Sequence, residues 1–361
     1  RSLPTSMVMQ DRKQPQPTFV LMRGEYDKPG EQVSPDIPSS LGAFSNHQPR
    51  NRLGLARWLV DPQNPLTARV IVNRYWQMYF GNGLVKTTED FGSQGSWPTH
   101  PELLDWLATE FIRSGWDVKS LQQLIVTSAT YQQSSHVTAE KQQTDPENQL
   151  LARASRLRLP AELIRDQALF TSGLLNAEIG GPSVKPYQPA GVWKEIASQQ
   201  YEPDTGKDLY RRSMYTFWKR TVPPPAMATF DAPSRETCIV KRPRTNTPLQ
   251  ALALLNDVTY VEAARKLAER MLDQHDQSAA ARIQYAMRIV LAREASENEL
   301  PVLLNALQRS QKRFQNDPRA AQQLLSVGES HQKKEHEAAE LAACTVVASL
   351  ILNLDESINR E

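Results

Sequence analysis

The sequence predicts a mainly α-helical protein: a multi-helix globular fold with a short β element near the N-terminus and a long irregular arm rich in proline and arginine. Three observations carry this reading. From Arg52 onward apolar residues recur with a period of about 3.6, between repeated helix start and stop signals. The first fifty residues lack that period and hold two short apolar runs. Between about 176 and 246, prolines interrupt every candidate helix. The chain therefore divides into an extended or β segment (1–50), a helical part (51–175), the arm (176–246) and a C-terminal helical part (247–361) that completes one unit with 51–175.

In chain order, Met7-Val8-Met9 and Thr18-Phe19-Val20-Leu21-Met22 read as strands, and the stretch from Lys28-Pro29-Gly30 to Pro38 as a turn-rich extended segment. Leu55, Trp58 and Leu59 mark a short helix that Asp61-Pro62 ends. Asn64-Pro65 supplies a cap and first-turn proline for a helix through Phe80, closed by Gly81-Asn82-Gly83. Thr99-His100-Pro101-Glu102 reads as a capping box before Leu103, Leu107 and Phe111, with Gly115 as the stop. A further helix from Leu121 ends near Tyr131, and 132–148 is a polar connection. A helix from about Pro160 to Leu175 turns Leu163, Ala168 and Leu169 inward. Thr247-Pro248-Leu249-Gln250 is a second capping box, with Asp257 capping a fresh start. Helices near 279–293, 296–315, 318–327 and 338–354 complete the chain.

Charge and cysteine content exclude several classes. In 361 residues the net charge is +2, too balanced for a general nucleic-acid binder. Two cysteines exclude a disulfide scaffold and a four-cysteine zinc site. The apolar run Leu341–Leu354 is shorter than the roughly 20 residues of a membrane helix and carries Cys344, Thr345 and Ser349, so it reads as a buried core helix of a soluble chain without a membrane span. The opening Arg1-Ser2-Leu3-Pro4, without an initiator Met, reads as a fragment or a processed product.

Few residues point to chemistry. His331 and His336 lie five apart, about 500° on a helix, so their rings do not converge on one metal, and a solvated face is the plainer reading. No metal site is expected. The other histidines are His47, His100, His136 and His275. Asp90-Phe91-Gly92 matches a kinase metal motif without any of its companion motifs. No GxSxG, HExxH, P-loop, GxGxxG or EF-hand sequence occurs, and Asp204–Asp208 lacks a calcium ligand ladder. The densest feature is 207–246, where Arg211, Arg212, Arg220, Arg235, Arg242 and Arg244 are interleaved with Trp218 and other aromatics. Forked guanidinium donors suit carboxylate, sulfate or phosphate, and aromatic faces can stack on sugar rings. These seven residues form the candidate ligand set. The competing reading ties the same arginines to carbonyls and carboxylates of the helical body. Cys238 sits among these cations, which favour its thiolate. A Cys238–Cys344 bridge would close a loop of roughly 100 residues and contribute about 4–5 kcal/mol, although two buried free thiols are the commoner outcome.

Several segments in order resemble one family. They are Asn73-Arg74-Tyr75-Trp76 through Phe80-Gly81, Asp90-Phe91-Gly92, Pro98 through Leu107, Gly180-Gly181-Pro182-Ser183-Val184, Thr229-Phe230-Asp231-Ala232-Pro233, Arg244 through Leu252 and Leu352-Asn353-Leu354-Asp355-Glu356. Over nearly the whole chain this resembles the planctomycete PSD-one domain, a family of unknown function. The resemblance implies the C-terminal part of a large exported protein, hence an extracytoplasmic location. It also implies upstream domains in the same polypeptide, often including a cytochrome c domain. Haem is expected there only, since this chain has no CxxCH, and no cofactor is expected here. The family pattern has Trp at the position of Cys344, while Cys238 fits it, which argues against a family-wide disulfide.

These observations favour an accessory or interaction module of a larger cytochrome c-associated protein. Its basic-aromatic arm would contact an anionic glycan or a protein surface. One alternative is a hydrolase or other enzyme acting on an acidic polysaccharide, with Asp90, His100, Asp231, Glu236 and Cys238 as catalytic candidates. Another is an electron-transfer scaffold that positions an upstream haem. Whether the chain catalyses any reaction is left open by the sequence.

Overall fold

The computed structural model describes residues 5–14, 16–44, 47–197, 200–274, 278–333 and 335–360. The Arg1–Pro4 opening and His275 lie outside the described residues. The fold is mainly α, and the chain forms two compact units, Arg1–Gln132 and Gln133–Glu361, which divide at the start of the polar connection.

In the first unit, β1 (Thr18–Leu21) pairs antiparallel with β2 (Pro29–Val33), placing Thr18 opposite Val33. The turn-rich segment after Lys28 is thus itself a strand, with Pro29 at its first position where no ladder donor is needed. Met7-Val8-Met9 forms no strand. It is exposed and has no partner strand among the described residues. α1 (Arg52–Leu59) is capped by Asn51, whose side chain accepts from Gly54 N at 3.1 Å. The leucines that mark this helix in the sequence, Leu55 and Leu59, are exposed. It packs through Gly54 instead, where a Cβ would overlap the Pro49 carbonyl oxygen.

α2 (Thr67–Phe80) begins two residues after Pro65, but Asn64 still caps it, accepting from Leu66 N and Thr67 N at 3.0 and 3.1 Å. Val72, Trp76 and Phe80 form its buried face, the last two stacked at 4.1 Å. α3 (Pro101–Arg113) buries Leu104, Leu107 and Phe111. The expected capping box is not made, because Thr99 turns away and donates from its backbone to the Leu84 carbonyl at 2.9 Å. Asp117 caps α4 (Val118–Val126), accepting from Lys119 N and Ser120 N.

The second unit opens with α5 (Ala139–Thr144), then β3 (Leu157–Arg158) and α6 (Ala161–Ser172). In α6, Ala168 and Leu169 are buried as expected, but Leu163 is exposed and Ile164 takes the inward position. Beyond α7 (Val192–Ala197) and α8 (Pro225–Thr229) come α9 (Pro248–Asn256) and α10 (Val258–Leu272). Asp257 does cap the fresh start, accepting from Thr259 N at 2.9 Å. The box at Thr247 is not made, because Gln250 turns into the interior. α11 (Ala279–Leu291), α12 (Glu299–Asn316), α13 (Pro318–Leu325), α14 (Ala338–Leu352), α15 (Asp355–Ile358) and β4 (Asn359–Arg360), which pairs with β3, complete the unit.

The main core collects α10, α11, α12 and α13 around α14. α14 is apolar on every side, as befits a helix enclosed by others. This bears out the reading of Leu341–Leu354 as a core helix. No helix among the described residues is long and apolar enough to cross a membrane.

α10 also buries charge. Arg265 donates to Glu269 Oε1 at 3.2 Å and to the Ser330 carbonyl and hydroxyl, both at 2.7 Å. Glu262 Oε1 accepts from Tyr210 Oη at 2.9 Å and Ser330 N at 2.6 Å. Gly328, at φ 85°, lets the loop cross α10, and a Cβ there would overlap the Glu262 side chain. The segment with His331 and His336 is not helical. His336 Nε2 lies 3.2 Å from Asp273 Oδ1.

A second ion group ties the connection after α11 to two helices. Arg293 donates to both carboxylate oxygens of Glu299 and of Glu356 at 2.7–2.8 Å.

Two outcomes follow from these charges. Arg265→Leu would leave Glu262 buried without its cation and Glu269 with Lys266 alone, and should lower stability by about 3–5 kcal/mol in urea denaturation. Arg293, the chief cause, and Ser296 N hold the Glu299 carboxyl down to about 2. A depressed carboxyl contributes stability above its unfolded value, near about 4.3, and loses it as pH falls through the folded one. Stability should therefore decline between about pH 5 and 2, and Glu299→Gln should flatten part of that decline in acid-unfolding curves.

Candidate functional site

The arm between α6 and α9 is laced to the body. Arg165 of α6, buried, donates to the carbonyls of Leu209 and Arg211 at 2.7 and 2.9 Å and to Ser213 Oγ at 3.2 Å. The adjacent Asp166 accepts from Ser213 N at 2.7 Å. Burial pulls the Arg165 guanidinium below its ordinary value, opposed by the charge of Asp166. Val184 pairs with the next stretch, donating to the Tyr215 carbonyl and accepting from Phe217 N at 2.8 and 2.7 Å. Backbone groups that would otherwise be orphaned thus find partners, which lets an irregular segment lie against a core.

The cations of the arm divide into two kinds. Arg211 is buried. Its guanidinium donates to the carbonyls of Glu178, Gly180 and Pro182 and stacks 3.9 Å from the Tyr215 ring centroid. It fastens the arm and does not reach the surface. Arg242 pairs with Glu162 at 2.8 Å, and Arg220 lies 3.8 Å from Glu236. Arg212, Arg235 and Arg244 are exposed, and their side chains make no hydrogen bond or ion pair among the described residues.

Arg235 and Arg244 are nevertheless placed. Arg235, at φ 65°, lies over Trp218 with 4.3 Å to the ring centroid, and Trp218 Nε1 donates to the Ser234 carbonyl at 3.1 Å. Arg244 precedes Thr245, which is clamped by Asp231. Thr245 N donates to Oδ2 at 2.7 Å, and the Thr245 hydroxyl donates to the same carboxylate at 2.9 Å. That hydroxyl also accepts from Gln250 Nε2 at 3.1 Å, and Gln250 reaches the Thr229 carbonyl at the same distance. Partial desolvation, then the like charge of Arg360 on β4, hold the Arg244 guanidinium below its ordinary value.

The catalytic candidates are shared between the two units. Asp90 and His100 belong to the first unit. There Asp90 accepts from Gly92 N at 2.7 Å, and His100 Nδ1 lies 3.1 Å from Thr99 Oγ1. In the second unit Asp231 is engaged by Thr245. Glu236 faces Arg220, and its backbone N donates to Ser234 Oγ at 3.3 Å. Among the described residues no group of three His, Cys, Asp or Glu side chains could hold a metal. Both cysteines are free thiols. Contrary to the expectation of two buried thiols, Cys238 is exposed, because the loop carrying it lies outside the core. Cys344 is buried in α14, and burial pushes its thiol up to about 12.

Sequence reading missed Arg165, Glu162, Thr245, Gln250 and Arg360. Thr245 and Gln250 stand in the sequence within a family-like segment, Gln250 also as a capping residue, and nothing in the spacing shows that Glu162, eighty residues from Arg242, meets it.

Iodoacetamide applied to the native chain should alkylate Cys238 alone, with Cys344 reacting only after denaturation. Peptide mass spectrometry checks this, and a linked Cys238–Cys344 peptide would contradict it.

No curated protein and no solved structure matches this chain. The model of one family, PSD1, described as a protein of unknown function (DUF1553), matches residues 51–307. That span runs from α1 into α12 and contains the arm, the Asp231–Thr245 clamp and Gln250. The chain belongs to the PSD1 family.

Proposed function

We propose that this domain is an interaction module that binds an anionic group through the exposed part of its arm. The observation carrying the reading is the contrast among cations in one segment. Arg211 and Arg242 are bonded internally, while Arg235 and Arg244 are fixed in place and present guanidinium groups to solvent without a carboxylate. A guanidinium laid over Trp218 joins a forked donor to an aromatic face, the combination suited to a sulfated or carboxylated sugar. Placement in an exported, cytochrome c-associated polypeptide, with upstream domains as partners, is part of this reading and is supported by the family resemblance alone. An enzymatic role is the weaker reading, because Asp231 and Glu236 are each engaged by their own partners.

A melting-temperature screen with sulfated, carboxylated and neutral oligosaccharides tests the proposal. A ligand at about 100 times its Kd stabilises a fold by roughly 2.7 kcal/mol, which moves Tm by several degrees. The shift should appear with one anionic class, shrink with added salt and fall away in Arg235→Ala and Arg244→Ala, whose helical circular dichroism stays unchanged. A flat screen, or equal shifts in the variants, would overturn it.

A further inference from the structure

α9 reads Pro-Leu-Gln-Ala-Leu-Ala-Leu-Leu-Asn, apolar around its whole circumference, the pattern of a helix enclosed by neighbours. Only one side is enclosed. Gln250 and Leu254 turn inward, whereas Leu249, Leu252 and Leu255 are 66%, 52% and 38% exposed. Three residues apart, they fall within an arc of about 120° and form a ridge about 9 Å long on the outward side. The run leading into this helix, 232–247, carries Arg235, Lys241, Arg242 and Arg244 against one acid, Glu236. Of these, Arg244 stands four residues before the helix, exposed and without a carboxylate partner, held there by the Asp231–Thr245 clamp.

We propose that the outward ridge of α9 and Arg244 at its N-terminal end form one docking surface for an acidic, amphipathic helix of a protein partner. The inference rests on the reading of the domain as an interaction module and names the partner's chemistry. A linear ridge of leucines at helical spacing fits the groove between ridges on a second helix. Arg244 beside it, without a carboxylate of its own, calls for carboxylates on that helix's flank. A membrane surface suits the face less well. The ridge has no aromatic residue and no flanking lysine on α9, and Gln250 and Leu254 fix the helix to the core so that it cannot sink into an interface.

The test uses the full chain and a fluorescent helical peptide with leucines at i, i+3, i+4 and i+7 and glutamates on both flanks. A twin peptide with lysines for glutamates and phosphatidylserine vesicles serve as the other arms. Fluorescence anisotropy should show the acidic peptide binding. Affinity should drop at least about tenfold in Leu252→Glu, and in Arg244→Ala it should drop with a reduced salt dependence. Leu255→Ser is a second ridge variant, and all variants should melt as the wild type does. Leu252→Glu should keep the oligosaccharide response. Absence of peptide binding, equal binding of the lysine twin, no effect at the ridge, or binding of vesicles alone would each overturn the docking surface. A chain that ignores the peptide yet responds to an anionic oligosaccharide keeps the anion site and loses only the ridge. A chain that responds to neither loses both.

Discussion

One guanidinium buried beneath the arm sets what the rest of the second unit can present. Arg165 places its two terminal nitrogens on the carbonyls of Leu209 and Arg211 and on Ser213, and Arg211 in turn fastens the stretch 178–182. An unpaired charge in that position would cost several kcal/mol, so the arm has a strong reason to adopt this course and little freedom to leave it. Everything further along, from Trp218 to the clamp at Asp231, is displayed on a backbone whose beginning is fixed by a cation that never meets solvent.

The arginines of the arm therefore differ in kind although they look alike in sequence. A guanidinium offers five donors, and carbonyls outside regular structure can take up several of them, as around Arg211, whose two terminal nitrogens donate to three carbonyls. Where the local backbone is already paired, the same group is left outward, as at Arg244. There Thr245 and Gln250 have already met the needs of the neighbouring carboxylate and carbonyl. The balance between fastening and recognition is decided residue by residue, by whether the nearest acceptors are already engaged.

Legibility in the sequence followed the range of the interactions involved. α14, the Asp257 cap and the ends of α2 were readable because periodicity, a side-chain cap and a glycine act within a few residues. The two capping boxes failed because a longer-range demand prevailed. Thr99 serves the Leu84 carbonyl and Gln250 the Thr229 carbonyl, fifteen and twenty-one residues away. The basic and aromatic character of the arm was plain from composition. Which of its cations were internal was not, because that depends on Arg165, on Glu162 and on carbonyls dozens of residues away. Leu163, Leu55 and Leu59, apolar yet exposed, show the same limit from the other side. Hydrophobicity marks a helix, but the neighbours that the fold supplies decide which of its faces is covered.

The central place of α14 has a consequence for how the chain comes to be made. Its contacts with α10 and α12 form the heart of the second unit, yet it is synthesised some seventy residues after α10 is complete. Until it emerges from the ribosome, the faces of α10 to α13 that α14 covers stay open, and they must be kept from associating with other chains in the interval. The main core of the second unit therefore closes late, only once its last long helix is available.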